Sequence, residues 1–224
     1  MTLDKKFKLR KSDIEETFQL LAFIVGIESY KNVPLVDSTT GCTLAVSQEM
    51  QCTLKADFLL LLYNIVESTT CDCLNSIYDA IIDDNLTFAD VTIEIKQLWR
   101  NYLKNRKHPN AESDDAILNP MKIKFEQLAI SISGSMDYRK IVSVFRKHGC
   151  QVDDSKREQY GQSFLVVKNK RNLLAHGNIS FSECGSGYIC SDLKRYKEDI
   201  LAYLEEVVNV TKTYVDNKKY KSMV

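Results

Sequence analysis

Proline and glycine are scarce in this chain, three and eight of 224 residues, and disorder is not expected to dominate a sequence so poor in chain breakers. Excess charge is absent, because 30 basic residues balance 30 acidic ones. That balance argues against a protein held on nucleic acid by bulk electrostatics and leaves room for a local basic cleft. Long apolar runs are missing too. The most apolar stretches, Leu20–Ile27 and Phe58–Tyr63, fall far short of the roughly 20 residues that a bilayer crossing needs, so no membrane partner is expected. The N-terminal MTLDKKFKLRKSD does not lead into an uncharged segment of signal type, and a cytoplasmic location is the expectation. Neither G-x-x-x-x-G-K-S/T nor G-x-G-x-x-G occurs, which ranks a nucleotide-handling enzyme last.

Histidine is rare as well. His108, His148 and His176 are too scattered to argue a zinc site, and no metal or other cofactor is expected. His108 precedes Pro109 in a polar loop and reads as exposed. His148 ends a short amphipathic helix, where a helix dipole favours a cationic imidazole. Cysteine is the exception, with seven: Cys42, Cys52, Cys71, Cys73, Cys150, Cys184 and Cys190. An odd count without a signal segment reads as reduced thiols. The C-x-C pair Cys71 and Cys73 sits in a predicted helix, where residues two apart face different ways.

What is present is helical periodicity. Ser12 and Glu15 read as a capping box, followed by Ile14, Phe18, Leu21 and Val25 in a helix to about Ser29. Asn32–Cys42 is a loop, and Thr43–Val46 leaves strand and loop both open. The longest predicted helix runs from about Leu54 to Asp83, on the order of 45 Å. It turns polar midway, at Asn64, Glu67, Ser68, Thr69 and Thr70. A helix begins at Thr87 or Asp90 and stops near Lys107. Residues 117–128 alternate in a way that fits a short strand, an irregular insert or a first helical turn. Ser135 or Asp137 caps a short helix with Ile141, Val144 and Phe145 on its apolar side. Residues 177–190 read as a turn with a small hairpin, and a closing helix starts near Ser191. KKYK at the end reads as a solvated basic tail. Four principal helices make an all-α bundle in one domain, residues 1–224, with an insert at about 86–150.

Ser163–Asn178, SFLVVKNKRNLLAHGN, organises the rest. Phe164, Val167, Leu173 and Leu174 make an apolar stripe, and Gly177 is placed as a C-cap. Asn172 and His176 stand four apart and share one face. Arg171 lies five before His176, about 7.5 Å along the axis and roughly 140° around it. Its long side chain can curl toward the same opening or meet a histidine from a second copy of the helix.

R-N-x-x-x-H, here Arg171, Asn172 and His176, resembles the R-x4–6-H motif of HEPN domains. The local form R-N-L-L-A-H-G and the order of helices around it are most similar to the MAE_28990/MAE_18760-like HEPN group. The resemblance implies a HEPN-like four-helix bundle and a dimeric, metal-independent endoribonuclease of a toxin–antitoxin or antiphage system, with a defence-system or antitoxin protein as a possible partner. It implies Arg171, Asn172 and His176 as the catalytic set and RNA as substrate. It also points to Glu67, Ser68 and Thr69 as supporting polar residues near the Arg–His pocket. A solvated or self-capping stretch is the alternative for those three.

The residue types suit that chemistry. RNA cleavage without a metal needs a base for the 2′-hydroxyl proton, an acid for the departing 5′-oxygen and positive charge on the phosphate. An imidazole serves either proton role near neutral pH, and a guanidinium offers a fixed fork to phosphate oxygens. One histidine does not easily fill both roles in one step. Two copies of His176 across a dimer do, with two Arg171 side chains around one phosphate. The competing reading is a non-catalytic helical module that binds RNA or protein, its motif serving dimerisation. Tyr63, Phe181 and Tyr188 are available for stacking bases.

Overall fold

The longest helix lies at the centre of the bundle. In the computed structural model, which describes residues 1–25, 35–125 and 136–222, α2 spans Gln48–Asp83. It begins six residues earlier than the apolar pattern predicts. Ser47 supplies the cap, its hydroxyl accepting the Met50 N–H at 3.2 Å, with Glu49 in the first turn. Phe58, Leu62, Ile65, Leu74, Ile77 and Ile81 are all buried, and helices pack around α2 on several sides: α1 (Leu3–Val25), α6 (Arg157–Ala175), α7 (Phe181–Ser186) and α8 (Cys190–Asp216). With α1, α6 and α8 it forms the expected all-α four-helix arrangement.

The start of α1 differs from expectation. Ser12 does not cap it; the hydroxyl donates to Glu16 at 3.0 Å inside a helix already running from Leu3. Phe7, Ile14 and Leu21 are buried at a spacing of seven. Lys6 and Arg10 bind Asp72 of α2 at 2.8 and 2.6 Å, holding the first turns in place. The expected end near Ser29 lies outside the described residues. Beyond them, β1 (Leu35–Val36) pairs antiparallel with β2 (Thr43–Leu44).

The insert is built from small pieces. A 3₁₀ turn at Phe88–Asp90 precedes α3 (Ile93–Asn105) and the single turn α4 (Asp115–Leu118). Of the alternatives for residues 117–128, no regular strand forms among the described ones. Lys122 makes one bridge with Thr87, while Ile123 and Phe125 are buried and Phe125 stacks on Tyr78 at 4.3 Å. Residues 126–128 lie outside the description. Asp137 caps α5 (Tyr138–Lys147), accepting the Lys140 N–H at 2.9 Å.

His148 corrects the sequence reading of a cationic dipole partner. It is buried at the end of α5, with Nδ1 2.8 Å from the Val144 carbonyl and Nε2 2.7 Å from the Tyr78 hydroxyl. A carbonyl only accepts, so Nδ1 carries the proton and neutral Nε2 accepts from Tyr78. Burial pushes the imidazole pKa down to about 4. Protonation below the unfolded value near 6.5 then favours the unfolded chain, so this contribution is complete above that pH and is lost as pH falls toward 4. Between pH 7.5 and 5 wild type is expected to lose about 2 kcal/mol more stability than His148→Gln, measured by urea unfolding of both proteins at the two pH values.

Two further expectations are overturned near the C-terminus. Residues 177–190 contain helix α7 rather than a hairpin. Ser180 caps it by accepting the Glu183 N–H at 3.1 Å, and Cys184 is buried. The KKYK segment is not a solvated tail. Tyr220 is buried, and Asp84 at the end of α2 accepts Lys218 Nζ at 2.7 Å and the Tyr220 hydroxyl at 2.8 Å, with Lys221 Nζ at 3.0 Å. The Tyr220 carbonyl takes the Thr92 N–H and the Ser222 N–H reaches Asp90. These contacts hold the Asp84 carboxyl below the usual range, the Lys218 hydrogen bond first among the causes. All seven cysteines are free thiols, as expected.

Candidate active site at the end of α6

The motif helix ends as the sequence predicts. His176 is the last cap residue, and Gly177 follows with φ +66°. The Gly177 N–H returns to the Leu174 carbonyl at 3.1 Å and the Asn178 N–H to Leu173 at 2.9 Å, the double bond pattern that closes a helix on a left-handed residue. Phe164, Val167 and Leu174 are buried, whereas Leu173, expected in the same stripe, is 37% exposed. The helix therefore grips the core with three of the four apolar residues and turns the fourth outward beside His176.

Arg171 is held by α2. Its guanidinium lies over the Tyr63 ring, 5.0 Å from the centroid, and Nη1 donates to Asn172 Oδ1 at 3.3 Å. Tyr63 is itself fixed at both faces of its hydroxyl. It donates to Glu67 Oε1 at 3.0 Å and accepts the Met136 N–H at 3.0 Å. Burial above all, with the Glu67 charge adding to it, pushes the phenol up to about 12, so it remains a neutral donor. Tyr63 and Glu67 are four apart on α2 and share a face, which links the polar middle of that helix to the motif. His176 is exposed and its imidazole has no hydrogen-bond partner among the described residues.

The three supporting residues proposed from the sequence separate. Glu67 joins the Arg171 cluster through Tyr63. Ser68 bonds back to the Ile65 carbonyl at 3.4 Å. Thr69 is buried at 1% exposure with its hydroxyl unpartnered among the described residues. Tyr63, an expected base-stacking aromatic, carries Arg171 on its ring instead. The signal that could have found it is the Tyr63–Glu67 spacing just ahead of the polar stretch. Tyr188 is half-buried against Tyr196, and Phe181 is partly exposed. Among the described residues no three His, Cys, Asp or Glu side chains cluster as a metal site, and no helix is long and apolar enough to cross a membrane.

The arrangement gives a guanidinium held over a ring, an amide beside it and an open imidazole, all at one helix end. The MAE_28990/-like HEPN family matches residues 1–220, nearly the whole chain. The chain belongs to the HEPN family. Membership points to a nuclease or RNA-binding module. No curated protein and no solved structure matches it.

Proposed function

We propose that this HEPN protein is an endoribonuclease that cuts RNA without a metal, acting as a homodimer with two copies of the motif at one site. The observation that carries the reading is the contrast between a restrained Arg171, on the Tyr63 ring, and an exposed His176 at the same helix end. A preplaced cation costs little reorganisation when charge grows on a phosphate. An open imidazole is free to meet substrate.

One His176 takes the proton of the 2′-hydroxyl as that oxygen attacks phosphorus, and the P–O5′ bond breaks. The partner subunit's His176 gives its proton to the leaving 5′-oxygen. The products are a 2′,3′-cyclic phosphate and a 5′-hydroxyl. Arg171 opposes the charge on the non-bridging oxygens. Asn172, whose Oδ1 already accepts from Arg171, has its amide hydrogens left for a sugar or phosphate oxygen. Unchecked cutting of this kind stops growth, which suits a toxin or antiphage effector.

The test is incubation of wild type and His176→Ala with total RNA and defined tRNA in EDTA, with the cut ends mapped. Cyclic phosphate ends from wild type alone support the reading; RNA binding by both proteins with no cutting by either moves it to a non-catalytic binding module. The Tyr63 ring gives a second check. Tyr63→Leu removes the surface under Arg171 and is expected to lower kcat/KM about tenfold, the size of a partly desolvated cation–π contact. Tyr63→Phe keeps the ring and is expected to stay within about threefold, since it removes a hydroxyl that touches Glu67 and Met136 and leaves the guanidinium its support.

A further inference from the structure

A second basic surface adjoins the motif along α6. Between α5 and α6 lies a cavity of about 420 Å³, lined by Asp137, Arg139, Arg157, Gly161, Leu165 and Lys168, a size that accepts a nucleotide-scale group. Arg139 and Arg157 are exposed, and among the described residues neither reaches a carboxylate within ion-pair distance. Lys168 is committed to Asp137 at 2.5 Å. Glu158 also lines the cavity, so three cations against two carboxylates leave a net charge of +1, carried by the two unpaired arginines.

The cavity lies along the same helix as the motif, on its N-terminal side. Arg157 and Lys168 stand eleven residues apart, about three turns, and so within roughly 20° of each other around α6. Arg171 follows Lys168 by three residues. Arg157 to Arg171 is about 21 Å along the axis, which covers about six phosphates of a stacked strand at ~3.4 Å each. The two regions also share a hinge of sequence. The Met136 N–H reaches the Tyr63 hydroxyl beneath Arg171, and the next residue, Asp137, takes Lys168.

We propose that this groove binds the single-stranded RNA on one side of the scissile bond. Arg139 on the α5 wall and Arg157 on the α6 wall hold phosphates. Gly161 and Leu165, the latter 40% exposed, provide an open apolar floor for a base or ribose. The inference rests on reading the motif as a ribonuclease site, and its test separates the two.

Arg139→Glu/Arg157→Glu is made both in wild type and in His176→Ala. Binding of a short fluorescent single-stranded oligoribonucleotide is measured in the His176→Ala background across a salt series. Affinity is expected to fall at least tenfold at low salt, and the slope of log K against log salt to shrink by about 1.4, two single-strand phosphate contacts at ~0.7 each. In the cutting protein the loss is expected in KM, with the same cyclic phosphate ends. The milder Arg139→Gln/Arg157→Gln pair, expected to act in the same direction, guards against a fold defect from reversed charge. Unchanged affinity and slope in a protein that cuts RNA overturn the groove and leave the nuclease standing. Wild type that binds without cutting, with the slope still reduced by the pair, does the reverse. Wild type that binds no RNA overturns both. An altered oligomeric state with RNA affinity intact also overturns the proposal, making the groove a contact between copies of the chain.

Discussion

His176→Ala is expected to lower kcat/KM for RNA by about 10³-fold or more, with little change in melting temperature. General acid–base catalysis contributes on the order of 10²–10⁴, and in a homodimer one substitution removes both proton roles. The imidazole is exposed and without a partner among the described residues, so its loss should cost less than ~0.5 kcal/mol of stability. Arg171→Ala is expected to lose about 10²–10³, as for a donor aimed at developing charge. It should also destabilise by about 1 kcal/mol, because the guanidinium leaves the Tyr63 ring. The double substitution is expected to lose little more than the worse single one, since groups that act as a unit do not add. Mixed dimers decide whether two histidines divide the work. A purified dimer of one wild-type and one His176→Ala chain should retain well under a tenth of the activity if acid and base come from different chains. Half of wild-type activity means that each chain works alone, and the two-histidine mechanism is then wrong.

The same contrast between anchored and open groups explains what could be read from sequence. α6 was legible because its signals are local: a four-residue apolar stripe, three of whose members are buried, and a glycine placed where φ turns positive. The polar middle of α2 was legible as an anomaly. Its resolution into three fates was not, since Glu67 depends on Tyr63, Tyr63 on Arg171, and Ser68 and Thr69 on the packing of α2 itself. The KKYK segment failed for a related reason. Four residues rich in lysine look solvated until Asp84, more than a hundred positions earlier, collects Lys218, Tyr220 and Lys221. His148 shows how a local rule is overridden. A histidine at a helix end favours positive charge, but burial between Tyr78 and the Val144 carbonyl removes it.

Gly185 is the position where α7, hidden from the sequence pattern, should be most sensitive. A Cβ built there would stand 1.8 Å from the Cys52 carbonyl oxygen and 2.6 Å from its carbon. Both atoms belong to the backbone of α2, which cannot rotate aside as a side chain can. Relief requires α7 to move off α2 by more than an ångström, opening the contact that buries Cys184 and the Lys55 Nζ bond to the Tyr188 carbonyl at 2.8 Å. Overpacking of a filled core costs about 1–3 kcal/mol, occasionally more, and a fixed backbone obstacle belongs at the top of that range. Gly185→Ala is therefore expected to destabilise by about 3 kcal/mol, and Gly185→Val by more, measured by urea unfolding. Gly187 supplies the control. Nothing lies within 4 Å of its Cβ position and its φ is −80°, so Gly187→Ala should stay within ~0.5 kcal/mol of wild type. Helix propensity favours alanine over glycine, so a loss at Gly185 reports the α2 contact, and equal losses at both positions would mean that this contact does not set the cost. Because α7 begins five residues after His176, a displaced α7 should also loosen the end of α6. Activity of any folded Gly185→Ala protein is accordingly expected to fall, while Gly187→Ala keeps it.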